Sequence, residues 1–214
     1  MMTKKEVDRM SIQLKKDIIL LNPQGNCEEL LGKLQLPFSV VHQNVSMDFT
    51  LPTNPIEFVN SFVVVQLLRM KAPHPSLCYM NVKRVVSFNG EILPLPRSRH
   101  EAITFFQKLS NRRHLVTSAV GIRYDDKISS FVVESEVLMH HLSKKIIVQY
   151  IETGEPFEQD VGYNIMGVGQ NLVKRIDGSK YNVAGLPLDV LKKFLTDKEI
   201  ISVEEGESVY GNFN

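Results

Sequence analysis

The sequence predicts an α/β domain built on a long mixed β-sheet flanked by helices. Three observations point there. Apolar positions switch repeatedly between helical and strand periodicity, two tight-turn signals punctuate β-rich stretches, and several helices open on recognisable capping residues. A chain of 214 residues suits one large domain or two closely joined lobes with a substantial core.

The elements follow in order. Thr3 can cap a helix running to Lys16, with Val7, Met10 and Leu14 on one face. Asp17 to Leu21 (DIILL) reads as a buried strand that Asn-Pro-Gln-Gly-Asn breaks. Cys27 to Lys33 reads as a helix and Phe38 to His42 as a strand. Asn54-Pro55-Ile56-Glu57 combines a capping side chain, a proline at the first helical position and a glutamate that can reach back. That helix should run to about Lys71, before Pro73 and Pro75 stop it.

Cys78 to Phe88 is β-rich, and Asn89-Gly90 is a hairpin turn because both residues tolerate positive φ. Ser98 and Glu101 form a capping box for a helix carrying Ile103, Phe106 and Leu109. Leu115 to Tyr124 and Ile128 to Leu138 read as antiparallel strands joined at Asp125-Asp126. Ser143 can cap a helix through Ile151, ended by Thr153-Gly154, and Leu188 to Leu195 is the last helix. The organisation is thus a helical extension over residues 1–16, a main domain over 17–196 and a tail over 197–214. The EEGES and YGNFN stretches of that tail have few apolar anchors, a composition compatible with disorder or with an interaction segment.

Composition excludes some functions. A formal net charge of +1 argues against nucleic-acid binding through overall charge. No run approaches the roughly 18 apolar residues of a membrane span, and the N-terminus lacks the apolar core of a secretory signal. Cys27 and Cys78 are far apart in no redox or ligand spacing, which fits reduced thiols in an intracellular, cytoplasmic protein. Adjacent His140 and His141 point different ways on any regular element, so a shared metal is disfavoured. Arg97, Arg99 and His100, with Arg112, Arg113 and His114, read as solvated ends of one helix rather than a nucleic-acid patch.

The stretch Tyr150 to Pro187 carries the most particular signal: Thr153-Gly154-Glu155-Pro156, then Gly162-Tyr163 with Ile165 and Gly167, then Tyr181-Asn182-Val183-Ala184-Gly185-Leu186-Pro187. With the earlier Gly90-Glu91-Ile92-Leu93, Pro96, His114, Thr117 and Glu134 to Val137, this ordered set resembles the Maf family, relatives of the inosine triphosphatases. The resemblance runs from about Ile18 to Leu195. It implies an elongated mixed sheet with two lobes around a cleft, and hydrolysis of nucleoside triphosphates with a divalent metal.

In the first half the chain departs from the family's pattern. Gln24, Asn26 and Cys27 stand in the loop where the family has Ser-Pro-Arg-Arg, whose forked arginine donors hold a triphosphate. The family acid after the second strand falls at Met47, with Asp48 adjacent, and the long-helix lysine falls at Gln66. The central Ala-Asp-Thr becomes Val82-Lys83-Arg84, a further lysine becomes Leu95, and a late glutamine becomes Met166. A protonated lysine cannot ligate a hard cation.

These positions lead to the expectation of a catalytically degenerate, non-catalytic module or subunit, a homodimer or a heteromer with another protein, with no intact catalytic residues, no metal ligands and no cofactor. The alternative is a nucleoside triphosphate pyrophosphatase using residual acids Asp48, Glu134 or Glu136, Lys83 and Arg84 as phosphate clamps, and Mg²⁺ or Mn²⁺. A further alternative is anion or nucleic-acid binding by Lys83 and Arg84 in an inverted, basic cleft. Strand alternation also allows one of these two side chains to face water while the other pairs with a carboxylate.

Overall fold

The computed structural model describes residues 11–44, 52–70, 73–125 and 127–204. Its frame is a seven-stranded mixed sheet in the order β3-β2-β4-β6-β7-β8, with β5 pairing β4. The strands are β1 (Ser11–Leu14), β2 (Asp17–Leu21), β3 (Phe38–Val41), β4 (Leu77–Phe88), β5 (Glu91–Ile92), β6 (Arg113–Tyr124), β7 (Lys127–Met139), β8 (Val173–Asp177) and β9 (Ile201–Glu204). The helices are α1 (Cys27–Gly32), α2 (Pro55–Leu68), α3 (Arg99–Leu109), α4 (Lys144–Ile151), α5 (Glu155–Glu158), α6 (Lys180–Ala184) and α7 (Leu188–Asp197), with a 3-10 turn over Val168–Leu172.

Three strands, β3, β2 and β4, run parallel, and β4 continues past the end of β2 into an antiparallel ladder with β6, β7 and β8. The local chemistry explains these elements. Asn54 caps α2 by accepting from the amides of Ile56 and Glu57, and Pro55 occupies a first-turn position that needs no donor. Asn89 (φ 53°) and Gly90 (φ 81°) make the left-handed pair that turns β4 into β5. In the Ser98 capping box the Ser98 hydroxyl accepts from the Glu101 amide, while Glu101 reaches one residue further back, to the Arg97 amide.

Because opposed residues of an antiparallel pair share a face, the β4–β6–β7 register sorts the sheet into two surfaces. One face carries Met80, Arg84, Ser118, Val120 and Ser135 and is covered by two apolar clusters, one with α1 and α7 and one with α3 and α4. The other face carries Lys83, Val85, Thr117, Ala119 and Glu134 and, among the described residues, is covered by α2 through Val59 and Val63. Gly121 lets α2 approach β6 closely, since a Cβ there would stand 2.9 Å from Leu67 Cδ1 and 3.0 Å from Val63 Cβ.

The ends of the described chain differ from the expectation. Ser11–Leu14 is a strand, not the end of a helix, and it pairs antiparallel with Ile201–Glu204, which lies in the segment read as a tail. Ile200 and Ile201 are buried and anchor that strand to the α1–α7 core. Segments as short as Ser-Ile-Gln-Leu are indifferent to helix or strand until a partner supplies the ladder. The expected helix residues before Ser11 and the tail after Glu204 lie outside the described residues.

Candidate active site

The crossover from β2 to β3 passes α1 over one face of the sheet, and the crossover from β3 to β4 passes α2 over the other. Between β2 and β4 the winding therefore reverses. In open α/β sheets this switch point leaves a crevice outside the carboxyl ends of the strands, where ligands bind. The loop Asn22–Asn26 borders it, with Gln24 and Gly25 exposed. The middle of β4, Lys83 and Arg84, lies just past the last β2 pair, Leu21 with Asn81.

Lys83 and Arg84 point to opposite faces. The Lys83 ammonium lies 4.9 Å from the centroid of the Phe62 ring on α2, a cation–π contact. Burial pulls its pKa below the ordinary lysine value, with Asp160 opposing and Arg84 adding to that shift. Arg84 is 1% exposed, and every nitrogen of its guanidinium is engaged. Nε and Nη2 form a two-pronged pair with the Asp160 carboxylate, and Nη1 donates to the carbonyls of Val183 (2.6 Å) and Asn182 (3.3 Å).

Those carbonyls belong to the last turn of α6, where helix acceptors have no intrahelical partner. Asn26 serves the third, donating through Nδ2 to Ala184 O at 3.1 Å and to Asn164 Oδ1 at 2.7 Å. The side chain of Asn182, fully buried, donates to Val116 O, Val133 O and Ser135 Oγ and ties α6 to the sheet. Asn182 to Ala184 thus present a row of backbone acceptors to Arg84 and Asn26.

The Gly162–Gly169 segment is held by one carboxylate. Glu155 accepts from the amides of Val168 (2.7 Å) and Gly169 (3.0 Å) and from the Tyr150 hydroxyl (2.9 Å), and that hydroxyl accepts from the Asn164 amide. Behind it, His114 Nε2 and the Tyr163 hydroxyl share a buried hydrogen bond of 2.8 Å. Burial lowers the His114 pKa to about 4 and raises that of Tyr163.

The remaining sequence-derived positions disperse. Cys27 is buried at the start of α1, next to the Asn22–Asn26 loop, and burial pushes its thiol up to about 12. Gln66 is buried on α2, Met166 packs against the α1–α7 core, and Leu95 is exposed on the connection to α3. Met47 and Asp48 lie outside the described residues. Glu134 and Glu136 share the α2-covered face: Glu134 accepts from the Thr117 hydroxyl at 2.9 Å, whereas Glu136 pairs with Arg113. Arg113 also meets Asp177, and Arg99 meets Glu152, so these two members of the basic clusters are surface ion pairs.

The sequence reading missed Asp160, Asn164 and the α6 carbonyls, which the fold brings to the loop. Proximity of Asp160 to Gly162-Tyr163 was the one available hint.

Among the described residues no group of three or more His, Cys, Asp or Glu could hold a metal ion. Asp160 is committed to Arg84 and Glu136 to Arg113, and a lysine occupies the centre of β4. The described donor set does not fit a resident Mg²⁺ or Mn²⁺. No described helix is long and apolar enough to cross a membrane.

Comparison with known proteins bears on this crevice directly. The chain is 34% identical over 173 residues to the dTTP/UTP pyrophosphatase of Bacillus velezensis, covering 81% of this chain and 92% of the relative. It is 31% identical over 185 residues to the dTTP/UTP pyrophosphatase of Dictyoglomus turgidum, covering 85% and 96%. A solved structure, the Staphylococcus aureus Ham1 protein, aligns with 86% of this chain at a TM-score of 0.46 and 15% identity. The pyrophosphatases overturn the expectation of a degenerate, non-catalytic interaction module, and with it the pseudoenzyme reading. That expectation weighed lost side chains one position at a time. In open α/β sheets a ligand sits where the winding reverses, and the reversal between β2 and β4 is present here, while Arg84, read as an open anion clamp, is fully spent inside the protein. The family model described as Maf-like protein matches residues 28–198, and the chain belongs to this family.

Proposed function

We propose that this chain hydrolyses nucleoside triphosphates at the α–β anhydride, yielding a nucleoside monophosphate and pyrophosphate, with dTTP and UTP as the leading substrates. The observation that carries the reading is the reversal of winding between β2 and β4, bordered by the exposed Gln24 and Gly25, in a chain matching pyrophosphatases over more than nine-tenths of their length.

The roles fall to residues on the α2-covered face. Lys83 supplies positive charge to the phosphates. Glu134, which accepts from the Thr117 hydroxyl, takes a proton from the attacking water. The water oxygen bonds to the α-phosphorus, the bond to the bridging oxygen breaks, and its electron pair leaves with pyrophosphate. Strand geometry separates the Lys83 and Glu134 backbones by about 12 Å, two strands across and two residues along, a span their side chains and a triphosphate can fill. Phosphoryl chemistry of this kind depends chiefly on positioning and electrostatics.

The test is pyrophosphate release from dTTP, UTP, dATP and GTP, with and without Mg²⁺ or Mn²⁺, beside the Bacillus velezensis relative. Turnover above the no-enzyme rate with dTTP or UTP supports the proposal. Background release across the panel refutes it.

A further inference from the structure

We propose that the buried Arg84–Asp160 pair is a positioning device that fixes the Asn22–Asn26 loop over the crevice and governs how tightly a polyphosphate is held. The kinetic half of this inference rests on the pyrophosphatase reading; the structural half does not.

Neither side chain is available to a ligand. Arg84 is 1% exposed, and the Asp160 side chain is 8% exposed. Every guanidinium nitrogen already donates, to Asp160 or to the α6 carbonyls. The pair acts on its neighbours. Gly25 adopts φ +55°, and a Cβ there would stand 3.0 Å from Asp160 Oδ1, 3.3 Å from Arg84 Nη2 and 2.9 Å from Gln159 Oε1. The loop backbone therefore rests on the ion pair itself. One residue on, Asn26 is pinned to Asn164 and to the same α6 terminus that Arg84 grips. Four segments distant in sequence (the β2–α1 loop, β4, the 159–164 stretch and the end of α6) meet at one guanidinium.

An ion pair suits this task better than apolar contact. Burying two charges contributes little net stability, but a forked guanidinium–carboxylate contact fixes direction as well as distance. Apolar packing already holds the core on either side, through the clusters of α1–α7 and α3–α4. What the pair adds is placement of an exposed loop whose Gln24 and Gly25 would face the phosphates.

Two native thiols make the test. Cys27 follows the loop directly, and Cys78 lies on β4 away from it; both are buried, and burial pushes both thiols up to about 12. Labelling each with a maleimide, followed by mass spectrometry, separates loop opening from global opening. In Asp160→Asn the loss of global stability speeds both thiols, and the rate increase at Cys27 should exceed that at Cys78 by at least about tenfold. Arg84→Lys should do the same, because an ammonium lacks the fork. In the same variants KM for dTTP should rise about tenfold while kcat stays within about threefold.

Cys27 and Cys78 accelerating by the same factor, or neither changing, would overturn the positioning role. A fall in kcat at constant KM would overturn its kinetic half. If the unmodified chain releases no pyrophosphate, the pyrophosphatase reading fails, and the thiol comparison still decides the loop.

Discussion

Asn26 and Asn164 lie 138 residues apart in the chain and share a hydrogen bond of 2.7 Å. Asn164 Oδ1 also accepts from the Met166 amide, and the Asn164 amide donates to Tyr150, itself bonded to Glu155. A continuous line of polar contacts thus runs from the second-half Thr-Gly-Glu-Pro motif to the first-half loop. The two regions that looked most different in sequence are one mechanical unit.

Lys83→Met should lower turnover with dTTP by about 10²–10³-fold, the usual cost of removing one organised charge from a site of developing negative charge. Circular dichroism should show the fold intact, because the methionine keeps the contact with Phe62. Glu134→Gln should depress kcat comparably while KM changes little, which steady-state kinetics would read directly.

The Arg84–Asp160 pair should show the asymmetry of buried charges. Arg84→Met leaves Asp160 without its partner and should cost about 3–5 kcal/mol, whereas Arg84→Met with Asp160→Leu should recover a large part of that loss. Urea unfolding of the two single variants and the double variant measures the coupling.

Glu155→Ala removes the acceptor for two backbone amides and the Tyr150 hydroxyl together. A loss of about 3 kcal/mol is expected, from three partners left short of one charged group. Fluorescence-monitored thermal unfolding would detect it as a lower Tm.

His114 should make stability depend on acid. Its folded pKa of about 4 lies below the free value near 6.5, so between those pH values the unfolded chain binds more protons. Stability then falls as pH drops from about 6.5 to about 4, by about 3 kcal/mol at most. Denaturant midpoints at pH 4 and pH 7 should converge in His114→Gln relative to the unmodified chain.

Gly121→Ala should destabilise by about 1–3 kcal/mol, because the added methyl would stand 3.0 Å from Val63 Cβ, fixed to the α2 backbone, and 2.9 Å from Leu67 Cδ1, so that α2 must shift even where the Leu67 side chain yields. Chemical denaturation is the measurement, and an unchanged midpoint would show that α2 can lift off without cost.

Much of the architecture was legible because its signals are local. Asn54-Pro55, Asn89-Gly90, Ser98 and Ser143 announce element ends through hydrogen bonds and φ values that neighbouring residues settle. Strand alternation likewise allowed Arg84 to pair while Lys83 turned the other way. What could not be read was the partner: Asp160 lies 76 residues on, in a loop of no regular period. The same limit hid β1 and β9. It also misdirected the functional reading, because a list of replaced residues does not show that the winding reverses between β2 and β4.

The pairing of β1 with β9 places Ser11 opposite Glu204 across a two-stranded ribbon. The described part of the chain, from Ser11 to Glu204, is therefore nearly a closed loop, and its order of synthesis is separable from its architecture. A permuted gene that joins Glu204 to Ser11 through a short glycine-bearing turn, and opens instead between Asn89 and Gly90, would encode the same ladder of strands. New ends would then emerge at the far end of β4, beyond Phe88, where a reporter domain could be carried without touching the Asn22–Asn26 loop.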